Sequence, residues 1–267
     1  MRIVRTVADV RAALEGARER GERIGLVPTM GALHDGHRAL LRAARTASDL
    51  VVMSLFVNPT QFDDPADLGR YPRDEATDAA IAAAEGADVV FAPGADELYP
   101  EGFATTVDPG PLGGILEGAA RPGHFRGVAT ICTKLFTIVA PDAAWFGQKD
   151  AQQVAVVRRV VADLDLPVVI HAVPTVREAD GLARSSRNVF LAPDERQDAA
   201  VLPRALRVGA EAARTGADPV GAVRAILADA PAVTIDYVAV AAFDVPTLVA
   251  AVRIGRIRLI DNVRLES

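Results

Sequence analysis

Hydrophobic residues along this chain fall into short unbroken runs separated by stretches of helical period. Val7, Val10, Leu14 and Ala17 recur at helical spacing, Gly21 closes that segment, and Ile24-Gly25-Leu26-Val27 reads as a buried strand. The next apolar stripe is Leu40, Leu41 and Ala44, which follows a loop, PTMGALHDG. The run 51–57 (VVMSLFV) is a strand stopped at Asn58-Pro59, because proline withholds a ladder donor and restricts the residue before it. The pattern then predicts a helix over 77–85, a strand over 88–91, a Gly/Pro-rich stretch over 108–123 and a helix over 128–139. A strand over 143–146, a helix with Val154, Val157 and Val161 on one face, and a strand over 168–173 complete the series.

Strands alternating with helices imply right-handed βαβ units, so the expected class is α/β: a Rossmann-like, mainly parallel sheet with helices on both faces. From about residue 195 the texture changes to Ala- and Arg-rich helix, then to β-prone pieces at 233–240, 248–252 and 256–260, which suits a small α+β C-terminal domain. The 267 residues exceed one ordinary domain of about 100–200. The expected division is 1–175 and 176–267, with 176–188 in or just after the hinge.

Composition narrows the function. Half the residues are hydrophobic, which argues against wholesale disorder. With 29 Lys and Arg against 35 Asp and Glu, the net charge of −6 disfavours a broad cationic surface, so nucleic acid is not expected as a partner. Cys132 is the only cysteine, which excludes an internal disulfide and a multi-cysteine zinc site. Charges are scattered through the first 23 residues, and no apolar run approaches the ~18 residues of a membrane span, so a cytoplasmic protein without membrane contact is expected.

In parallel sheets, ligands bind beyond the carboxyl ends of the strands. Four loops leave such ends: Pro28 to His37, Asn58 to Phe62, Gly147 to Asp150, and Pro174 to Arg187. In the first, Pro28-Thr29-Met30-Gly31-Ala32-Leu33-His34-Asp35-Gly36-His37, two of the four histidines lie three apart around a glycine, just before a helix whose unpaired N–H groups suit a phosphate. An HxxH by itself also suits a solvated loop or a structural metal pair; the strand-loop-helix setting favours nucleotide binding. In the second, Asn58 and Gln61 offer neutral amides for a hydroxyl and a carboxylate, unless the segment is a plain Asn-Pro turn.

The third loop, Gly147-Gln148-Lys149-Asp150, places a lysine at a helix start, where it can meet polyphosphate oxygens or stay solvated while Asp150 caps the helix. Gln153 falls in the first turn of that helix. The fourth runs through Val176, Gly181, Arg184, Ser185, Ser186 and Arg187, an array of donors that suits a triphosphate, although taken by itself it reads slightly better as a basic surface loop. His124 joins Arg121 and Arg126 in a glycine-containing loop, and His171, set in an apolar strand, is expected to be a core histidine. No P-loop, GxGxxG or Ser/His/Asp order is present, which leaves Walker-type, dinucleotide-hydride and acyl-enzyme chemistry unsupported.

The strings PTMGALHDGH, FVNPTQF, RPGHFRGVAT, WFGQKDAQQ, VPTVREADGLARSSRN and RLIDN, in that order over nearly the whole chain, closely resemble the pantothenate synthetase (pantoate–β-alanine ligase) family. The HxGH element alone is shared across the nucleotidyltransferase superfamily. The resemblance implies that ATP and (R)-pantoate form pantoyl adenylate and pyrophosphate, and that β-alanine then gives pantothenate and AMP. It also implies Mg²⁺ entering with ATP, a homodimer, and a C-terminal domain acting as a lid.

By the same resemblance, residues 30–37, 147–150, Val176 and 184–187 match ATP-binding segments, His37 matches the catalytic histidine with His34 beside it, and Gln61 and Gln153 match the pantoate-binding glutamines. Gln61 also lies where β-alanine enters. Lys149, Ser185, Ser186 and Arg187 complete the expected catalytic set. Gln148 and Arg184 depart from the family's common Glu and apolar residues, and the hairpin between Phe243 and Ile254 is shorter than usual. The competing readings are a nucleotidyltransferase that stops after transferring a nucleotide, and a non-catalytic nucleotide-binding module.

Overall fold

The computed structural model describes residues 1–62 and 65–265. Two compact units emerge: Met1–Gly147 with Gln153–Val173, and Gln148–Gln152 with the chain from Pro174 onward. Through Val173 the chain runs β1 (Arg2–Val4), α1 (Val7–Glu19), β2 (Ile24–Thr29), α2 (Asp35–Ala47), β3 (Leu50–Leu55), a 3-10 turn (Pro59–Gln61), α3 (Pro65–Arg70), α4 (Glu75–Ala84) and β4 (Val89–Phe91). Then follow α5 (Ala95–Leu98), α6 (Glu117–Ala120), α7 (His124–Val139), β5 (Ala143–Gly147), a 3-10 turn (Gln148–Asp150), α8 (Ala151–Asp163) and β6 (Val169–Val173).

The first unit is built on a sheet of order β1-β4-β3-β2-β5-β6 in which every pairing is parallel. Its strands read as continuous apolar runs because both faces are covered. Leu26 and Val52 join one core with Val10, Leu14, Val128 and Phe136, while their neighbours Val27, Val51 and Met53 join another with Leu40, Leu41 and Ala82. Pro28 is tolerated inside central β2 because pairing with β5 ends at Leu26–Ala144, two residues earlier. The strand order reverses between β2 and β5. That is the switch point at which α/β sheets open a crevice for ligands.

The short helices α3, α5 and α6 have no counterpart in the pattern-based expectation, and other features differ from it as well. β1 is an additional strand, since Arg2, Ile3 and Val4 form only a short edge strand with little burial. α7 begins at His124 rather than 128, after Gly123 takes φ +83, so His124 belongs to a helix rather than a loop. His171 is exposed on edge strand β6 and stacks on Trp145 with ring centroids 5.1 Å apart, so it is not a core residue.

The second unit contains α9 (Pro193–Ala199), α10 (Val201–Arg214), α11 (Pro219–Ala228), β7 (Val233–Ala242), β8 (Pro246–Ile254) and β9 (Ile257–Arg264). Its sheet is antiparallel in the order β7-β8-β9, and β7 turns into β8 through residues 243–245. Leu248, Ala250 and Val252 of central β8 pack with Leu202, Leu206, Val223 and Leu227 from α10 and α11. This is a separate apolar core.

Candidate active site

The loop from Pro28 to His37 is held from both ends. Thr29 is fixed by its hydroxyl donating to Ser54 O at 2.7 Å. Gly31 (φ +87) and Ala32 (φ +52) both take positive φ, an unfavourable choice for alanine. The turn aims two consecutive N–H groups at one carboxylate: Ala32 N donates to Asp78 Oδ2 at 3.0 Å and Leu33 N to Asp78 Oδ1 at 2.8 Å. Asp78, from α4, is 3% exposed, and a Cβ at Gly31 would stand 2.7 Å from its Oδ2. Nothing in the local pattern singles out Asp78, which reads only as one turn of a helix 45 residues away.

His34 and His37 cap α2 reciprocally. Gly36 N donates to His34 Nδ1 at 3.1 Å, and His34 N donates to His37 Nδ1 at 3.2 Å. A ring nitrogen that accepts cannot carry the proton, so both neutral imidazoles bear it on Nε2. The rings stand 4.2 Å apart, centroid to centroid. Asp35 is exposed in the first turn of α2.

Gln61 is 7% exposed and fixed at both its main chain and its side chain. Asn58 Nδ2 donates to Gln61 Oε1 at 3.1 Å and to Gly127 O at 3.2 Å, while Asn58 Oδ1 accepts from Tyr99 OH at 2.7 Å. With Oε1 held, Gln61 Nε2 faces Met30 Sδ at 3.0 Å, which joins this amide to the histidine loop. Behind it, His124 Nδ1 lies 2.8 Å from Gln61 O and Arg121 Nη1 3.3 Å from His124 Nε2. A guanidinium only donates, so His124 Nε2 accepts and Nδ1–H donates to the Gln61 carbonyl. Gly127 is needed because a Cβ there would stand 2.6 Å from Gln61 N. Thus the second loop and the RPGHFRGV segment, separate in sequence, form one support for Gln61. Gln153 is half-buried in the first turn of α8.

In the second unit, the turn Gln148–Asp150 carries Lys149, whose ammonium lies 3.3 Å from Asp150 Oδ1. Val176 and Arg184 are tied by the Arg184 N to Val176 O hydrogen bond of 2.9 Å, across a tight hairpin with Gly181 (φ +87) near its tip. Ser185 accepts from Arg187 N at 3.3 Å and caps the 3-10 helix Ser186–Phe190, leaving Arg187 exposed and both serines half-buried. A carboxylate lies among these donors: Glu178 Oε1 is 3.3 Å from Arg184 Nη1 and accepts from Asn188 Nδ2 at 2.7 Å, and Arg196 binds its other oxygen. Burial pushes the Glu178 carboxyl up, but the hydrogen bonds from Asn188 and Arg196 and the two guanidinium charges outweigh it and hold it below the usual range.

Cys132 is buried and its thiol is pushed up to about 12, which removes it as a nucleophile. Among the described residues, no three His, Cys, Asp or Glu side chains gather to hold a metal ion, and no helix is long and apolar enough to cross a membrane.

A parallel sheet with a switch point, and an HxGH element capping the helix that follows β2, place this chain among the α/β proteins that open a ligand crevice beyond the carboxyl ends of their strands. Similarity to known proteins narrows this further. The family model for pantoate–β-alanine ligase matches residues 2–264. The pantothenate synthetase of Moorella thermoacetica is 50% identical over 280 residues, covering 100% of this chain and 99% of its own, and that of Roseiflexus sp. is 51% identical over 284 residues with both chains fully covered. The crystal structure of pantothenate synthetase from Thermus thermophilus superposes with a TM-score of 0.92 at 47% identity, covering 100% of both chains. That of pantoate–β-alanine ligase from Francisella tularensis, complexed with beta-gamma ATP and β-alanine, gives 0.86 at 33% identity, covering 100% of this chain and 98% of that one. The chain belongs to the pantoate–β-alanine ligase family.

Proposed function

We propose that this chain condenses (R)-pantoate with β-alanine at the expense of ATP, through pantoyl adenylate. The single observation that carries the reading is the Gln61 amide, locked by Asn58 and set 3.0 Å from Met30 of the histidine loop. A bare nucleotidyltransferase has no use for a neutral amide fixed at both ends beside its nucleotide loop. An enzyme that presents a hydroxy-carboxylate to ATP does.

In the first step a pantoate carboxylate oxygen attacks the α-phosphorus, the bond to the bridging oxygen breaks, and pyrophosphate leaves with the electron pair. Charge grows on phosphate oxygens, and the Nε2–H groups of His34 and His37 are the donors suited to meet it. Lys149, Ser185, Ser186 and Arg187, with the backbone of 30–37 and 147–150 and with Val176 and Arg184, are assigned to the same nucleotide. Gln61 and Gln153 orient pantoate through its hydroxyls and carboxylate without a competing charge. In the second step the β-alanine amine, entering at Gln61, attacks the acyl carbon, loses a proton, and AMP departs.

Magnesium is written as part of the substrate, MgATP. Mg²⁺ commonly keeps several of its waters and binds through substrate phosphates rather than a dedicated protein cage. A homodimer, a lid role for residues 176–267 and a cytoplasmic setting belong to the same proposal and rest on the family resemblance.

Incubation with ATP, (R)-pantoate and β-alanine tests the reading. Equal amounts of pantothenate and AMP are expected, and neither should form when any one substrate is omitted. A stable nucleotide adduct of a phosphorylated acceptor, with no response to pantoate, would replace it with the nucleotidyltransferase reading.

A further inference from the structure

The pair Asp261-Asn262 in β9 is almost wholly buried, at 2% and 6% exposure. Adjacent residues of a strand face opposite ways, and these two hold different segments. Asp261 takes the Arg177 guanidinium in a two-point ion pair at 2.7 and 3.0 Å, and the same guanidinium donates to Gly181 O at 3.0 Å. Asn262 is turned to the 3-10 turn instead. Its Nδ2 donates to two successive carbonyls, Gln148 O at 2.9 Å and Lys149 O at 2.8 Å, while its Oδ1 lies 3.5 Å from Gln148 Nε2.

We propose that Asn262 is the positioning residue for Lys149, fixing the main chain from which the ammonium reaches the nucleotide phosphates. The inference rests on the assignment of Lys149 to ATP. Lysine is a point charge on a flexible stem, so its aim depends on where its own Cα is held. A 3-10 turn of three residues supplies few hydrogen bonds of its own. Asn262 contributes two from β9, and only a side-chain amide can donate both hydrogens to neighbouring carbonyls while accepting on its other atom. Aspartate has the same shape but would set carboxylate oxygens against carbonyl oxygens.

The test compares Asn262→Ala, Asn262→Asp, Lys149→Ala and the Lys149→Ala/Asn262→Ala double variant in the full chain. The readouts are KM for ATP, KM for pantoate, kcat and thermal midpoint. Loss of the two bonds is expected to raise KM for ATP or lower kcat by roughly tenfold, with KM for pantoate within about twofold of the parent. Asn262→Asp should be no better than Asn262→Ala. In the Lys149→Ala background, Asn262→Ala should add nothing, because both act through one ammonium.

A purely structural role would lower the thermal midpoint, leave both KM values unchanged, and multiply with Lys149→Ala; that result overturns the inference. Asn262→Ser keeps one donor and carries the same comparison should the alanine variant not fold. If Lys149→Ala itself leaves ATP use intact, the assignment of Lys149 fails. If Lys149→Ala is crippled while Asn262→Ala is normal, only the inference fails.

Discussion

Asp78 accepts the backbone N–H of Leu33 at 2.8 Å, and its second oxygen accepts that of Ala32, so one buried carboxylate fixes a turn that contains a left-handed alanine. Hydrogen bonds to a charged group contribute about 1.5–3 kcal/mol, and an N–H left buried without a partner costs about 1–3 kcal/mol. Asp78→Asn puts an NH₂ opposite one of the two N–H groups, and Asp78→Ala leaves both without their acceptor. The expected outcome is a lower thermal midpoint in both, with weaker ATP binding by calorimetry and a smaller change in Asn than in Ala. Unaltered ATP affinity in a folded Asp78→Ala protein would show that the turn holds itself.

The reciprocal cap of His34 and His37 makes each ring both a helix cap and a donor. His37→Ala removes one Nε2–H and leaves the His34 N–H without its ring acceptor. Formation of the adenylate should fall by about 10²–10³, the usual cost of one oxyanion donor, while pantoate affinity stays within a few-fold. Near-parental turnover would remove His37 from the catalytic role.

Gln61 is supported from α7, so the role proposed for it can be tested from a distance. Gly127→Ala drives a methyl group at Gln61 N and the Thr60 carbonyl, both main chain and unable to rotate away. Raised KM for pantoate and β-alanine, with KM for ATP less affected, is the expected pattern. His124→Ala should move the same two constants in the same direction by a smaller factor, since Arg121 Nη2 still reaches Gln61 O at 3.3 Å. A uniform fall in kcat with all KM values unchanged would argue against this support.

Much of the fold is legible in the sequence because burial on both faces writes parallel strands as unbroken apolar runs: the run 51–57 contains most of β3, and 143–146 most of β5. β1 escapes because a three-residue edge strand leaves almost no pattern, and His171 misleads because apolar neighbours do not distinguish an edge strand from a central one. Within the candidate site, residue types in loops are visible, since His34, Lys149 and Gln61 stand out against small and apolar neighbours. Their supports are not. Asp78, Asn262 and Gly127 act on segments 45 or more residues away, through bonds that no local spacing encodes.

Glu178 gives the hairpin at 176–184 a dependence on acid. Its folded pKa lies below its ordinary value, so the stabilisation it contributes is fully present above about pH 5 and is lost as the pH falls through the folded value. Protonation releases Arg184 and Arg196 from their shared carboxylate. Between pH 7 and pH 3 the thermal midpoint of the parent should fall more steeply than that of Glu178→Gln, with the two curves converging at the acid end. Parallel curves would mean that the ion pairs contribute nothing to stability.

Pantoate is proposed to be activated as an adenylate before β-alanine takes part. Exchange of labelled pyrophosphate into ATP, measured with (R)-pantoate present and β-alanine absent, reads that step alone. Exchange that rises from background to saturation with pantoate is the predicted result; exchange that is absent, or that proceeds equally without pantoate, would contradict it.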